Sequence, residues 1–411
     1  MDLPKKTMHL TDNARDIADI ILEKYLSPLY RYLGENPSLI KTAPGLLINK
    51  EEMIFYFGKT HLAIEYVGPE TIESLKSSGK VMLKCYDYRD AKNFIEKIVG
   101  LDFDATSSVQ LLLPEVSENL VVPTNKGIDK LLELNWNFAG QDANYTFNAG
   151  NFTIPEKRFC RHINSLYFDA DENGLKTRHI KWIDFIPISY KDVDSEHESV
   201  SLELFHYNEN RAKYDAHYSY PMPEKEDYIN SKLPQINRFI QLIGNNLTSE
   251  VTITKFLESN ENRFILSMAF LAKQVYGQLK CEWQSEDKEP IKPDFFVLRP
   301  NGFADIVEFK LPHLKSRSIT GKTNRETFSA ELNSCISQTR VYSKYFEDPN
   351  NKIWFEKKYG FKVDNPRRII VIGRRWDFDN DIWKDIVSEY RDVEILTYQD
   401  LIDGVSAQFY L

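Results

Sequence analysis

Three residues in the C-terminal half have the types and spacing to hydrolyse a phosphate ester. Pro293-Asp294 opens one aromatic and β-branched run and Glu308-Phe309-Lys310 closes the next, with the turn Pro300-Asn301-Gly302 between them. Asp294 to Leu298 and Phe303 to Phe309 therefore read as a hairpin. Side chains alternate along a strand, so Glu308 and Lys310 share one face, and strand pairing carries Asp294 beside Glu308. Two carboxylates at close range repel unless a cation lies between them, and oxygen-only ligation suits Mg2+ or Mn2+ rather than zinc. Such an ion polarises a phosphodiester and lowers the pKa of a bound water. Lys310, a compact cation with three donors, is suited to orient that water or to hold charge on the phosphate. A solvent-facing Glu-x-Lys pair beside a turn-side Asp is the bland alternative, and composition alone favours it. Against it stand the hairpin, the fact that Pro293-Asp294 is the one Pro-Asp pair in the chain, and a basic segment that follows.

That segment changes the meaning of the net charge. The chain carries -9 overall, yet from Lys310 to Arg375 there are 15 Lys or Arg against 6 Asp or Glu, so the rest of the chain carries -18. Clustered cations beside a candidate active site favour a polyanionic partner. Lys315, Arg317 and Lys322 fall in the polar loop after the Glu308 strand, and Arg374 and Arg375 follow an apolar strand; each is a candidate phosphate contact. Glu250 lies one turn before Ile253 and Thr254 and two before Leu257, on the side of an early helix that looks toward the sheet. It is the preferred third acidic ligand, with Glu258 on a more polar face, although the helix dipole alone also favours an acid in a first turn. Gln338 and Tyr342, four apart on a later helix, share a side, which allows Gln338 to bond a carboxylate, a water or a phosphate.

The elements that must position these residues can be read in order. A helical segment from Thr248 to Tyr276, broken near Ser259 to Asn262, precedes a short strand near Cys281 to Gln284 and then the hairpin. A helix from Arg325 to Tyr345 follows, then the strand Ile369 to Ile372, a helix near Asp379 to Tyr390 and a last strand Val393 to Thr397. This order describes a mixed α/β sheet flanked by helices. Before it, residues 1–225 mix both periods: Asp12 to Leu33 is helical, whereas Met53 to Val67 and Ser199 to Tyr207 read as strands. The polar, proline-containing stretch from Tyr220 to Lys225 marks the boundary, giving an α+β region over 1–225 and an α/β domain over 236–411.

At 411 residues, more than one core is expected. The segment Met1 to Lys6 lacks a charged head with an apolar core, and no apolar run reaches bilayer length, so a cytoplasmic protein without a membrane partner is expected. Cys85, Cys160, Cys281 and Cys335 are far apart, which argues against zinc knuckles and disulfides. Gly58-Lys59-Thr60 and Gly321-Lys322-Thr323 imitate a phosphate loop, but Met53 and Ser316 stand where its first glycine belongs, so no nucleotide cofactor is expected. Asp169 to Gly174 imitates the start of a calcium loop, yet its twelfth position is Ile180 rather than Glu. His313 is the one histidine near the proposed site and reads as an ordinary loop residue.

The chain resembles the Shedu family of bacterial anti-phage nucleases. The resemblance is carried by Lys255 to Asn260, Pro293-Asp294-Phe295, Val307 to Pro312, Ser337-Gln338 through Tyr342, Ile370 to Arg374 and Leu396 to Leu401. It departs from the family at Glu261, where the early helix motif commonly ends in Asn-Pro. The resemblance implies a PD-(D/E)xK nuclease fold in which Asp294, Glu308 and Lys310 are the catalytic acid, second acid and lysine. It further implies a homo-oligomer, a tetramer, that cuts invading DNA with a divalent metal, and a variable N-terminal region that controls activity. A catalytically silent DNA-binding or end-sensing module and a restriction-type enzyme are the competing functions. Retention of both carboxylates and the lysine favours the enzyme, and no helix-turn-helix or zinc finger supports the restriction reading.

Overall fold

The computed structural model describes residues 9–75, 80–103, 111–112, 115–146, 152–154, 157–193, 198–202, 204–220, 228–314, 318–322, 325–378, 380–390 and 392–410. The chain forms two compact units, one made of Met1–Leu131, Asp142–Asp171 and Lys176–Glu226, the other of Leu132–Gln141, Glu172–Leu175 and Asp227–Leu411.

In the first unit, α1 (Leu10–Ile21) passes through a π-helical turn at Leu22–Leu26 into α2 (Ser27–Glu35). Ala14, Ile17, Ile21, Tyr25, Leu29 and Leu33 recur at three- and four-residue steps and are all buried, which is the apolar stripe that anchors this arm. Among the described residues nine strands form one sheet: β1 (Glu52–Phe57), β2 (His61–Val67), β3 (Met82–Asp87), β4 (Val116–Glu118), β5 (Leu120–Pro123), β6 (Asn144–Tyr145), β7 (Cys160–Asp171), β8 (Gly174–Asp192) and β9 (Glu198–Leu202). Their order is β3-β1-β2-β8-β7-β5-β6, with β9 on β8 and β4 on β7. Gly58-Lys59-Thr60 is the turn between β1 and β2, and the calcium-loop imitation is the turn between β7 and β8. A helix, α3 (Glu209–Ala216), supplies Asp215 to a fully buried ion network. Arg161 bonds Asp184 at 2.5 Å and Asp215 at 2.8 Å, while Tyr207 donates to Asp184 and Tyr25 to Asp215. Every charge there is paired, the condition under which buried ions are tolerated.

The second unit opens with α4 (Tyr228–Gly244), α5 (Glu250–Glu258) and α6 (Arg263–Ala269). Ser249 caps α5, accepting from the Thr252 amide at 3.2 Å, and so places Glu250 in its first turn. Then come β10 (Gln274–Gly277), β11 (Phe295–Leu298), β12 (Ala304–Phe309), α7 (Ala330–Glu347), α8 (Pro349–Tyr359), β13 (Arg368–Val371), α9 (Asn380–Ser388), β14 (Val393–Leu396) and α10 (Tyr398–Tyr410). The five strands run β10-β11-β12-β13-β14, antiparallel through β12 and parallel from there. Phe295 and Phe309 face Tyr398 and Phe239, whereas Phe296 and Ile306 pack with Tyr342, Phe346 and Phe355. The sheet is therefore covered on both faces.

The break between α5 and α6 falls at Ser259 to Asn262 as the sequence predicts. Other elements differ. The end of the early helical segment is a strand, β10, because Gln274–Gly277 pairs with β11; Cys281 contributes only an isolated bridge to Ile291. Helix α7 begins five residues later than predicted, at Ala330 after the cap Ser329, and a further helix α8 starts at Pro349 behind the cap Asp348. Helix α10 follows the last predicted strand. No helix among the described residues is long and apolar enough to cross a membrane.

Candidate active site

The register of the hairpin brings the acids together. Phe295 pairs with Val307, so continuation by one residue sets Asp294 against Glu308. Asp294 precedes the paired part of β11, and its Oδ2 accepts the Phe309 amide at 2.8 Å, while its carbonyl accepts from Gln278. Both ends of the aspartate are thus fixed by backbone groups. Glu308 is 5% exposed, and its two oxygens have different donors. Lys310 Nζ donates to Oε1 at 2.9 Å and the Tyr342 hydroxyl donates to Oε2 at 3.1 Å. Lys310 in turn is held by its backbone, which donates to the Val371 carbonyl at 2.9 Å and accepts from the Tyr398 hydroxyl at 2.6 Å. Its ammonium lies 3.9 Å from Glu250 Oε2 on α5.

Burial, with Glu308 as a second cause, pushes the Asp294 carboxyl up to about 7, against the Phe309 amide and Lys310, which pull it down. Lys310 shows the converse: burial works against its charge, yet Glu308, Glu250 and Asp294 outweigh it and hold the ammonium above its ordinary range. Burial and the Glu308 carboxylate likewise push Tyr342 up, so its phenol keeps its proton. Two acids that resist joint ionisation and one committed cation define an all-oxygen site with a lysine at its edge.

The residues fit a hard divalent ion. Asp294 carries repulsion that a cation would relieve, and magnesium is commonly held by one or two carboxylates, its other positions going to water and substrate oxygens. Among the described residues no three His, Cys, Asp or Glu side chains group closely enough to hold a metal by themselves. Glu250 joins the site through Lys310 rather than through a three-carboxylate cluster.

The other predicted residues are distributed differently. Gln338 is exposed on α7, between Cys335 and Tyr342 along the helix, and the direct bond to Glu308 comes from Tyr342 instead. Arg374 is not a surface contact: it is 3% exposed, its guanidinium donates to the Ile243 carbonyl at 2.6 Å, and burial lowers its pKa. The reason is local, since Gly373 at φ +68° and the short helical turn after it fold Arg374 back under α4. Arg375 is half-exposed but paired with Asp400 at 2.8 Å and Asp403 at 2.9 Å. Lys322 is exposed in the turn beside Gly321, and His313 is exposed as well. Lys315 and Arg317 lie outside the described residues. Glu258 covers Gly277, where a side chain would collide with its carboxylate. Tyr398 was not foreseen; its signal is the apolar spacing of Tyr398, Leu401, Ile402 and Val405, all buried, which fixes the face it presents.

Fold and site together define an α/β domain with two acids and a lysine at one end of a mixed sheet. Residues 248–402 match the model of the family described as Shedu protein SduA, C-terminal. The match begins at α5 and ends within α10, so it includes Glu250, Asp294, Glu308, Lys310, Tyr342 and Tyr398 and leaves the residues before 248 unassigned. No curated protein matches the chain.

Proposed function

We propose that the C-terminal unit is a metal-dependent deoxyribonuclease of the PD-(D/E)xK type, an endonuclease or nickase that acts on invading DNA. The match of residues 248–402 to the Shedu C-terminal family supports the role in anti-phage defence. The observation that carries the chemistry is the Asp294–Glu308 pair, held in register by β11 and β12 with Lys310 bonded to the second acid. Mg2+ or Mn2+, held by Asp294 and Glu308, would supply Lewis-acid polarisation of the phosphodiester and a water of lowered pKa. Glu308 is kept rigid by its two donors, and Asp294 would give up its proton on binding such an ion. Lys310, its side chain 12% exposed and its Nζ already committed to the site, orients a nucleophile or stabilises charge on the phosphate. Tyr398 and Val371 fix the lysine backbone, so the ammonium swings only through its side chain.

DNA is the proposed partner, bound through the basic segment with Lys322 among its exposed members. A homo-oligomer, a tetramer, follows from the same family reading, and the acidic N-terminal unit is proposed to regulate the nuclease through protein contacts. The test is incubation of the purified protein with supercoiled, linear and single-stranded DNA, with Mg2+ or Mn2+ and with chelator, alongside Asp294→Ala, Glu308→Ala and Lys310→Ala. Metal-dependent cutting lost in all three folded variants is the expected result. Undiminished cutting by Glu308→Ala removes the mechanism, and cutting under no condition favours a silent DNA-binding module.

A further inference from the structure

Within the C-terminal unit, at the entry ends of β13 and β14, a cleft of about 750 Å3 opens beside α7. It is lined by Arg340, Lys344 and Glu347 of the helix, by Arg367 and Arg368 at the start of β13, and by Asp392 and Glu394 near β14. Asp294 and Lys310 lie toward the opposite end of the sheet, since Arg368 pairs with Ile306 while Glu308 pairs with Ile370 further along. The cleft is therefore separate from the acidic site.

Its cations are unequally satisfied. Arg367 bonds Asp305 at 3.1 Å and reaches Glu394 at 3.5 Å, so it is neutralised. Arg368 is 8% exposed, and the one hydrogen bond of its side chain among the described residues runs from Nη1 to the Thr339 hydroxyl at 3.3 Å. Its Nε is buried with no partner. Among the described residues no carboxylate stands within ion-pair distance of Arg340, Lys344 or Arg368. A buried guanidinium without a bonded anion is costly, and an unsatisfied buried donor on the wall of a cleft is a place for a bound species to sit. Arg340 and Lys344 are four apart on α7 and present their charges to the same side. Glu347 and Asp392, both exposed, stand at the rim; Asp392 attracts the buried guanidinium through its field but makes no ion pair with it. Burial lowers the Arg368 pKa; the Asp392 carboxylate pulls it part of the way back, and the like charge of Arg340 adds a smaller downward push.

We propose that this cleft binds a phosphate group, with Arg368 as its buried donor and Arg340 and Lys344 as its flanking cations. A guanidinium presents a planar fork of donors that matches phosphate oxygens, and the volume lies within the range of small-ligand sites, roughly 300–1,000 Å3. The phosphate can belong to a free phosphorylated small molecule or to a nucleic-acid strand, and the chemistry of recognition is the same.

The test is calorimetric titration of the full chain with inorganic pyrophosphate, and separately with a short DNA duplex. Chelator is present throughout, so neither cutting nor metal–pyrophosphate complexes intervene. Saturable pyrophosphate binding, weakened about tenfold or more by Arg368→Met and by the exposed double change Arg340→Ser with Lys344→Ser, supports a free ligand. If pyrophosphate is bound weakly but the duplex loses affinity in both variants, the phosphate comes from nucleic acid. No binding of either probe, or binding that the exposed double variant leaves untouched, overturns the proposal. The double variant changes surface residues alone, so a folding failure of Arg368→Met does not decide the outcome. Asp294→Asn is titrated in parallel; unchanged pyrophosphate binding there separates this cleft from the nuclease reading.

Discussion

The Tyr342 hydroxyl donates to Glu308 Oε2 across 3.1 Å, joining a helix to the strand that carries the second acid. Lys310 holds the other oxygen, so the carboxylate plane of Glu308 is fixed from two sides. Tyr342→Phe removes one of these restraints and leaves a buried carboxylate oxygen without its donor. Stability should fall by about 1–3 kcal/mol in urea unfolding, and cutting should fall by roughly tenfold with the metal requirement retained. A variant that cuts like the parent would show that Tyr342 only packs.

Asp294 gives a pH dependence whose sign is fixed. Its carboxyl stands at about 7 in the folded chain against 3.8 in the unfolded one, so between those values the folded state binds the extra proton. Its contribution to stability is fully present below pH 4 and is lost as pH rises through 7. Asp294→Asn should therefore be more stable than the parent at pH 8, by on the order of 1–2 kcal/mol, with the gain shrinking toward pH 4. Urea unfolding at both pH values checks this, and a gain that grows on acidification contradicts it.

The same carboxyl predicts how metal and proton compete. A cation binds the ionised pair, so Mn2+ should raise thermal stability more at pH 8 than at pH 6 and release protons on binding. At a free concentration a hundredfold above Kd the gain is about 2.7 kcal/mol. Glu308→Gln should lose the effect. A Mn2+ response that Glu308→Gln leaves intact places the ion elsewhere.

Lys310→Met and Lys310→Arg separate charge from geometry. Both should fold, and both should lower the cutting rate by about 100-fold or more, because a planar guanidinium does not reproduce a point charge with three rotatable donors. Full activity in Lys310→Arg would reduce the lysine to a counter-ion of Glu308.

Arg374 and Lys322 behave oppositely. Arg374→Ala should destabilise by about 1–3 kcal/mol, since it strips the donor from the buried Ile243 carbonyl and empties a packed position. Lys322→Ala should leave stability unchanged and reduce the salt slope of DNA binding by about one phosphate contact. Binding titrations over a range of salt decide between them; an unchanged slope removes Lys322 from the interface.

This contrast marks where the sequence is legible. The acids and the lysine could be read because strand alternation and the Pro300-Asn301-Gly302 turn are local signals, and local signals determine which face each side chain takes. The hairpin and the mixed α/β character of the sheet followed from the same patterning. Arg374 was misjudged because two arginines after an apolar strand look exposed, and only the backbone turn at Gly373 buries the first of them. Gln338 was preferred over Tyr342 as the partner of a carboxylate because both lie on one helical side; which one reaches Glu308 depends on where α7 crosses the sheet. Strand β10 was hidden because Gln274–Gly277 continues an apolar helical run, and its pairing with β11 is a tertiary fact. The same holds for the Tyr398 bond to Lys310, 88 residues away in sequence.

The central claim is that Asp294 and Glu308 share one divalent ion. Anomalous diffraction from crystals grown with Mn2+ tests it most directly: the account predicts a peak between those two carboxylates, beside Lys310, that vanishes in Glu308→Gln. A peak at other residues, or none in crystals of protein that cuts DNA with Mn2+, would contradict it.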